Sequence, residues 1–549
     1  MNVIETIGQH LHDTLQSLFN SHVQLIKKAQ LTINTDKQKS EFGDLSSNAA
    51  LIIAKELGEN PRAVAQKILA ALKHPYIERA DIAGPGFLNI FLSPEAFKKL
   101  ATELYEDRAL FFSRNSAPKQ SYSVEFVSAN PTGPLHVGHG RGGIIGDVLS
   151  RILSFLGHTV VKEFYVNDAG AQIHKLGLSF KARCMQVSGY DMAVPEDGYQ
   201  GEYLVALAQE CYDTYGTELL SKTDEFFSSY AKEHLLKNIT TTLAEYGITF
   251  DIWFSEKTLH DTGAIDQVLE QLTASGYLYT EDGTIWLRST TFGDDKDRVV
   301  RKKTGELTYI AADIAYVQDK VARGFDHLIF VLGQDHHSYV TRLKVVMQVL
   351  GYDPKRLDVI LYQLVTVKES GLALKLSKRA GRIVNLEDII KTVGTDVARF
   401  FYLHKKADAH LDFDLDLALK HTDENPVYYI QYAYVRIKSI REKALQHELF
   451  HKLTAEDIQK LQPADQLLLK KIASLKEHLE SIQHSYQTHQ LAYYTIELAQ
   501  AFHAYYTHHK VIDVDQVAQS RARLILIELV EHTLKTCFDL LGISAPEKM

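Results

Sequence analysis

Ser121-Tyr122-Ser123-Val124-Glu125-Phe126-Val127-Ser128, followed by Ala129-Asn130-Pro131-Thr132-Gly133-Pro134-Leu135 and then His136-Val137-Gly138-His139, is the stretch that governs the reading of this chain. The first eight residues read as a short apolar strand, and the proline- and glycine-bearing run after them as a turn. The histidines open a glycine-studded helix, Gly140-Arg141-Gly142-Gly143-Ile144-Ile145-Gly146. Spaced three apart, His136 and His139 share one face of the first helical turn. Unpaired backbone N–H groups and the positive end of the helix dipole attract phosphate at such a start. Glycines just behind it are expected to let a flat ligand approach the backbone. The pattern is that of a nucleotide site at the carboxyl end of a parallel strand. Two other readings compete. The chain has 25 histidines, so the pair could be incidental surface residues. It could also be half of a zinc site, although Cys184, Cys211 and Cys537 lie far away in sequence.

A second motif lies far downstream. Lys375-Leu376-Ser377-Lys378-Arg379 follows Gly371-Leu372-Ala373-Leu374 and precedes Ala380-Gly381. Three cations in five residues, with serine and glycine nearby, make a loop suited to closing on polyphosphate, and lysine is a compact charge on a flexible stem. Alone, such a run is more often a solvated basic surface. In this order, however, the two motifs resemble the paired signatures of class I aminoacyl-tRNA synthetases, usually written HIGH and KMSKS. The departures, Val137 for isoleucine and Leu376 for methionine, conserve volume.

With 549 residues the chain exceeds a single hydrophobic core, so two to four domains are expected. Hydrophobic content of 45% and charged content of 23% fit a soluble globular protein. No apolar run approaches the ~18 residues of a membrane helix. Residues 1–19 read as an amphipathic helix and lack the pattern of a signal peptide. Three scattered cysteines suggest a reducing, cytoplasmic setting. A net charge of −9 means that any RNA contact must use local basic patches. Candidates are Arg298-Val299-Val300-Arg301-Lys302-Lys303 and residues 375–382; either could equally be an ordinary solvated surface.

Along the chain, residues 1–112 read as a small α+β domain. Residues 113–416 alternate strands and helices, arguing a Rossmann-type, doubly wound parallel sheet. Its strands are expected near residues 121–128, 160–166, 326–333 and 357–366, with a mostly helical insertion over about 183–290 that ends in a hairpin at Glu281-Asp282-Gly283. Residues 417–549 keep helical spacing almost throughout and read as an all-α domain.

Carboxylates gather at the expected active-site end of the sheet. Glu125 lies on the strand before the histidine motif, Asp313 follows Tyr309 at helical spacing, and Gln334 ends a buried strand. A carboxylate among apolar neighbours needs a cation or strong hydrogen bonds. A guanidinium would serve Asp313, since its planar fork matches a carboxylate; an internal lysine or a capping role serves as well on spacing alone.

Further segments resemble the arginyl-tRNA synthetase family: residues 128–135, Tyr165-Val166-Asn167-Asp168-Ala169-Gly170-Ala171-Gln172, residues 309–316, and Gly333-Gln334-Asp335-His336-His337. Phe42-Gly43-Asp44, Asn60-Pro61-Arg62 and Ala83-Gly84-Pro85-Gly86-Phe87 resemble its N-terminal domain. Residues 424–433 and 541–547 resemble its anticodon-binding domain. The resemblance implies ATP-dependent formation of arginyl-adenylate and transfer of arginine to the terminal adenosine of a tRNA. It implies that Glu125, Tyr309 and Asp313 hold the guanidinium, while Asn130 and Gln334 hold the α-amino and carboxylate side. It implies ATP contacts from Gly133, His136, Gly138, His139, Lys375, Ser377 and Lys378, with His136, His139, Lys375 and Lys378 acting on the phosphates in the transition state. Mg²⁺ is expected to come with ATP, bound through phosphates rather than by a protein cage. No permanently bound cofactor and a monomer are expected. Among tyrosines of the C-terminal domain, which are more often core than ligand-facing, Tyr428 and Tyr506 are the candidates for stacking on anticodon bases.

Overall fold

The computed structural model describes residues 2–20, 23–26, 28–113, 118–374 and 385–549. Lys375, Ser377 and Lys378 therefore lie outside the described residues.

The chain opens with the helix Val3–Leu18, which Asn2 and Glu5 start as a reciprocal capping box. Strands β1 (Leu31–Ile33), β2 (Leu45–Ser47), β3 (Ile77–Ala83) and β4 (Phe87–Leu92) form an antiparallel sheet in the order β1-β2-β4-β3. β3 and β4 form an antiparallel hairpin within it. Next come β5 (Ser121–Phe126), β6 (Thr159–Val166) and β7 (Ile252–Ser255). The short strands β8 (Leu278–Glu281) and β9 (Thr284–Leu287) pair across Asp282 and Gly283, both at positive φ as the tight hairpin requires; β10 (Arg298–Arg301) joins them. β11 (His327–Gly333) and β12 (Leu357–Tyr362) complete a parallel five-stranded sheet in the order β12-β11-β5-β6-β7. β13 (Val365–Glu369), β14 (Leu372–Ala373) and β15 (Leu411–Asp414) form a small separate sheet.

Two expectations change. The segment 357–366 is not one strand: it breaks at Gln363 and Leu364, and its second half leaves for the small sheet. The insertion, expected to be mostly helical with a closing hairpin, also holds β7, which is the edge strand of the main sheet. All four β7 residues are only half-buried, so they present no apolar run for periodicity to detect.

Helices from Pro426–Ala444 to Val517–Leu541 build the C-terminal domain. It packs closely on the rest of the chain, and one hydrophobic cluster runs from Val3 through Val148 to Ile543. Polar links stitch the same junctions. Lys470 pairs with Asp44 at 2.8 Å, and Glu477 accepts the Ile33 N–H at 3.1 Å. The buried Arg399 donates to Asp147 of the histidine helix, the Tyr246 carbonyl and the Leu541 carbonyl. Among the described residues no helix is long and apolar enough to cross a membrane.

Candidate active site

β5 sits at the centre of the parallel sheet, and its carboxyl end delivers the turn and the histidine helix Val137–Phe155. Val127 and Ser128 take φ of +68° and +39°, a backbone region that a β-branched residue adopts only under constraint. The constraint is visible. The Ser128 hydroxyl donates to Glu125 at 3.2 Å and accepts the Tyr165 N–H of β6 at 3.0 Å.

His136 is the N-cap of the helix. Its Nδ1 accepts the Gly138 N–H at 3.1 Å, and His139 Nδ1 accepts the His136 N–H at 3.2 Å. The rings stack with centroids 3.7 Å apart. Burial, then the neighbouring His136 ring, push the His139 pKa down to about 3. His139 is therefore neutral at physiological pH. With its Nδ1 accepting, the proton of the neutral His139 ring sits on Nε2. Among the described residues no group of three or more histidine, cysteine or carboxylate side chains gathers to hold a metal, so the zinc reading of the pair finds no further ligands.

The glycines behind the histidines have another purpose than the one expected. A Cβ on Gly140 would lie 2.5 Å from Leu386 and 2.9 Å from Tyr402; on Gly142, 2.6 Å from Tyr362; on Gly146, 2.2 Å from Phe126. These positions admit large side chains of the protein itself, so the helix can lie close on β5 and β12.

The helix Tyr309–Ala322 carries the acidic chemistry. Tyr309, Asp313, Tyr316, Lys320 and Arg323 recur every three or four residues, one stripe along a helix face. Glu125 on β5 and Glu163 on β6 are register partners in the parallel ladder. Lys320 bridges them at 3.0 and 3.2 Å, Tyr316 donates to both at 2.5 and 2.9 Å, and Arg323 binds Glu163 with two bonds of 3.0 Å. Burial alone would raise the Glu163 pKa, but Lys320 and Arg323 hold it below the usual carboxylate value. Two buried carboxylates are thus balanced by two cations, as buried charge requires.

Asp313 lies beyond that balanced set. Burial drives its pKa up to about 7, with Glu256 and Glu125 adding like charge; the Tyr339 hydroxyl bonded to it and Arg342 pull the other way. Glu256, which the sequence reading passed over, starts the short helix after β7. Burial raises its pKa too, against a hydrogen bond from Tyr165. Glu256 adds like charge to Asp313 among Tyr165 and Tyr339, and both pKa values stay raised although Arg342 acts on Asp313 and His260 lies 3.8 Å from Glu256.

The remaining expected residues lie on helix Tyr309–Ala322 and at the carboxyl ends of β5 and β11. Tyr309 begins its helix and is 72% exposed. Asn130 is exposed on the turn after β5, and Gln334 follows the end of the adjacent strand β11. Thr132 and Gly133 are half-buried beneath an insertion tyrosine, Tyr203.

In the C-terminal domain, Tyr428 and Tyr506 lie half-buried at the surface, whereas Tyr434 and Tyr505 are core. Tyr428 stacks parallel to Tyr432 with centroids 6.4 Å apart, Tyr432 stacks on His503 at 5.9 Å, and Arg436 lies 4.6 Å from the Tyr506 ring centre. The basic run 298–303 is not a free patch: Arg298 pairs with Asp294 and Asp295, Arg301 with Asp266, and Lys302 with Glu306.

Comparison with known proteins places these features in a family. Residues 100–402 match the description "tRNA synthetases class I (R), catalytic domain", residues 5–92 "Arginyl tRNA synthetase N terminal domain", and residues 430–549 "DALR anticodon binding domain". The chain belongs to the arginyl-tRNA synthetase family. It is 40% identical over 557 residues to an arginine–tRNA ligase of Bacillus subtilis, covering 99% of this chain and 100% of the relative. A Citrifermentans bemidjiense arginine–tRNA ligase is 42% identical over 525 residues, covering 94% and 95%. Among solved structures, a protein from Campylobacter jejuni titled as a putative arginyl-tRNA synthetase superposes with a TM-score of 0.76 at 36% identity, over 83% of this chain and 100% of its own. The Thermus thermophilus arginyl-tRNA synthetase shares the fold, with a TM-score of 0.78 at 21% identity over the full length of both chains.

Proposed function

We propose that this chain is an arginine–tRNA ligase whose specificity rests on the acidic cluster at Asp313. It activates L-arginine with ATP, giving arginyl-adenylate and pyrophosphate, and then esterifies the terminal adenosine of its tRNA with release of AMP. The observation that carries the reading is a pair of carboxylates, Asp313 and Glu256, that burial holds at raised pKa despite Arg342 and His260 nearby. A guanidinium is planar, permanently charged and all donor, so it suits such a pair. Tyr309 would close over the guanidinium from the rim. Glu125 already holds Lys320 and Tyr316, so its part is to fix the potential and brace the turn through Ser128, with a lone pair to spare for the substrate. Asn130 and Gln334, at the ends of adjacent strands, would hold the α-amino and carboxylate groups.

In adenylation a substrate carboxylate oxygen attacks the α-phosphorus and the bond to pyrophosphate breaks. The protein forms no covalent bond; it positions the reactants and neutralises charge. His136 and His139 would stabilise charge building on the phosphates, His139 donating from Nε2, with Gly133 and Gly138 leaving the backbone near the nucleotide. Lys378, with Lys375 assisting, would neutralise the leaving pyrophosphate, and Ser377 would contact ATP. Magnesium would come with ATP rather than with a protein cage and would supply charge neutralisation at the phosphates. Tyr428 and Tyr506 lie on the aromatic surface that would stack on anticodon bases. Arginine-dependent exchange of pyrophosphate into ATP, measured with tRNA present, tests the reading; exchange that is indifferent to arginine would overturn it.

A further inference from the structure

The turn between β5 and the histidine helix is strained at Val127 and Ser128, so it keeps its shape only while its surroundings hold it. The inner brace is the Glu125–Ser128–Tyr165 chain already described. The outer brace comes from the helical insertion. Tyr203, first residue of the helix Tyr203–Tyr215, donates its hydroxyl to the Thr132 carbonyl at 2.6 Å. Its ring is seated between two glycines. A Cβ on Gly133 would lie 3.3 Å from the Tyr203 oxygen, and one on Gly201 would lie 2.2 Å from the ring. Burial lifts the Tyr203 pKa to about 12, so the hydroxyl stays protonated as a donor.

The segment that delivers Tyr203 is itself fastened to the preceding helix, Ala171–Val187. Ser179, fully buried, accepts the Tyr199 N–H at 2.9 Å, and Gln186 donates to the Met192 carbonyl at 2.7 Å. That helix follows β6 directly. The insertion therefore grips the Asn130–Gly133 turn from outside, through a continuous set of contacts that begins at the neighbouring strand of the sheet.

We propose that Tyr203 is a positioning residue for adenylation, reaching from the insertion to hold the turn that carries Asn130 and leads to His136. The proposal rests on the reading of this site as an adenylation centre. Releasing the Thr132 carbonyl lets the strained turn relax, and displacements near 1 Å in a positioned site cost about a hundredfold in rate.

Tyr203→Phe removes the hydroxyl and keeps the ring between Gly133 and Gly201. In arginine-dependent ATP–pyrophosphate exchange with tRNA present, kcat should fall about ten- to a hundredfold, with the melting temperature nearly unchanged and the KM for ATP within about threefold. Leu207→Ala, which hollows the same helix face one turn further along without touching the hydroxyl, is the comparison: it should lower the melting temperature and leave kcat near wild type at temperatures where it is folded. A Tyr203→Phe enzyme with kcat within about twofold of wild type overturns the proposal. So does a loss of the same size in folded Leu207→Ala, which would make the effect one of helix packing. A wild-type enzyme without arginine-dependent exchange would instead overturn the underlying reading.

Discussion

Replacing Asp313 by asparagine removes one negative charge from the acidic cluster while keeping the side chain's size. In the free protein the Asp313 carboxyl titrates at about 7, chiefly because burial opposes its charge. On the proposed role of Asp313, arginine binding requires the ionised form, so competence should be present above that value and fade as pH falls through it. At pH 8 about nine-tenths of the wild-type molecules carry the charge, and at pH 6 about one-tenth. Removing one partner of a buried ion pair costs about 3–5 kcal/mol, which at ~1.4 kcal/mol per decade is a loss of about 150- to 5,000-fold in kcat/KM for arginine. Asparagine adds to the deficit by turning two donors towards a guanidinium that has only donors. That gap should be widest at pH 8 and close by nearly tenfold at pH 6, where most wild-type molecules must first lose a proton. Stability should move the other way. A carboxyl whose folded pKa is raised loses stability between its unfolded value near 3.8 and about 7, and the loss persists above. Asp313→Asn should therefore melt higher than wild type at pH 8 and differ little near pH 4. Arginine titrations of pyrophosphate exchange at pH 6, 7 and 8, with thermal melts alongside, provide the assay. An arginine KM within about threefold of wild type at pH 8, or a pH-independent ratio between the two enzymes, would refute the assignment.

Lys378→Ala should lower kcat for adenylation with little change in the KM for arginine, because its charge is needed only as pyrophosphate leaves; steady-state kinetics with KM altered and kcat intact would count against it. Tyr506→Ala should raise the KM for tRNA by about five- to 150-fold, the worth of one stacked base, without altering arginine-dependent exchange at saturating tRNA. Glu477, beside the N-terminal domain, has its pKa pushed up to about 7 by burial, so its ionisation costs stability as pH rises from about 4.5 to 7. Glu477→Gln keeps an acceptor for the Ile33 N–H and should raise the melting temperature at pH 8 by about 1–3 °C, an effect that calorimetry should find absent near pH 4.5.

What the sequence disclosed depended on how local the physics was. The N-cap pairing of His136 and His139 involves only neighbours in the chain, so the helix start after β5 was legible from residue types and spacing. The stripe from Tyr309 to Arg323 was legible in part: helical spacing joined Tyr309 to Asp313. That Lys320 and Arg323 neutralise Glu125 and Glu163 follows from strand register, which no local pattern encodes. Glu256 went unseen because β7 is short, half-buried and brought beside β6 only by the order of the sheet. The helix glycines were misread because their crowding neighbours, Tyr362, Leu386 and Tyr402, come from distant segments. The Tyr203 contact with Thr132 is equally non-local, and a lone tyrosine in an insertion carries no signal of it.

The central claim, that this chain esterifies arginine to tRNA, is tested most directly by supplying the enzyme with ATP, magnesium, total tRNA and all twenty amino acids at equal concentration, then identifying the amino acid released from the tRNA by mild base. Arginine alone should be recovered, and Asp313→Asn should abolish it without bringing in lysine. Recovery of a different amino acid, or of none from a folded enzyme, would contradict the account.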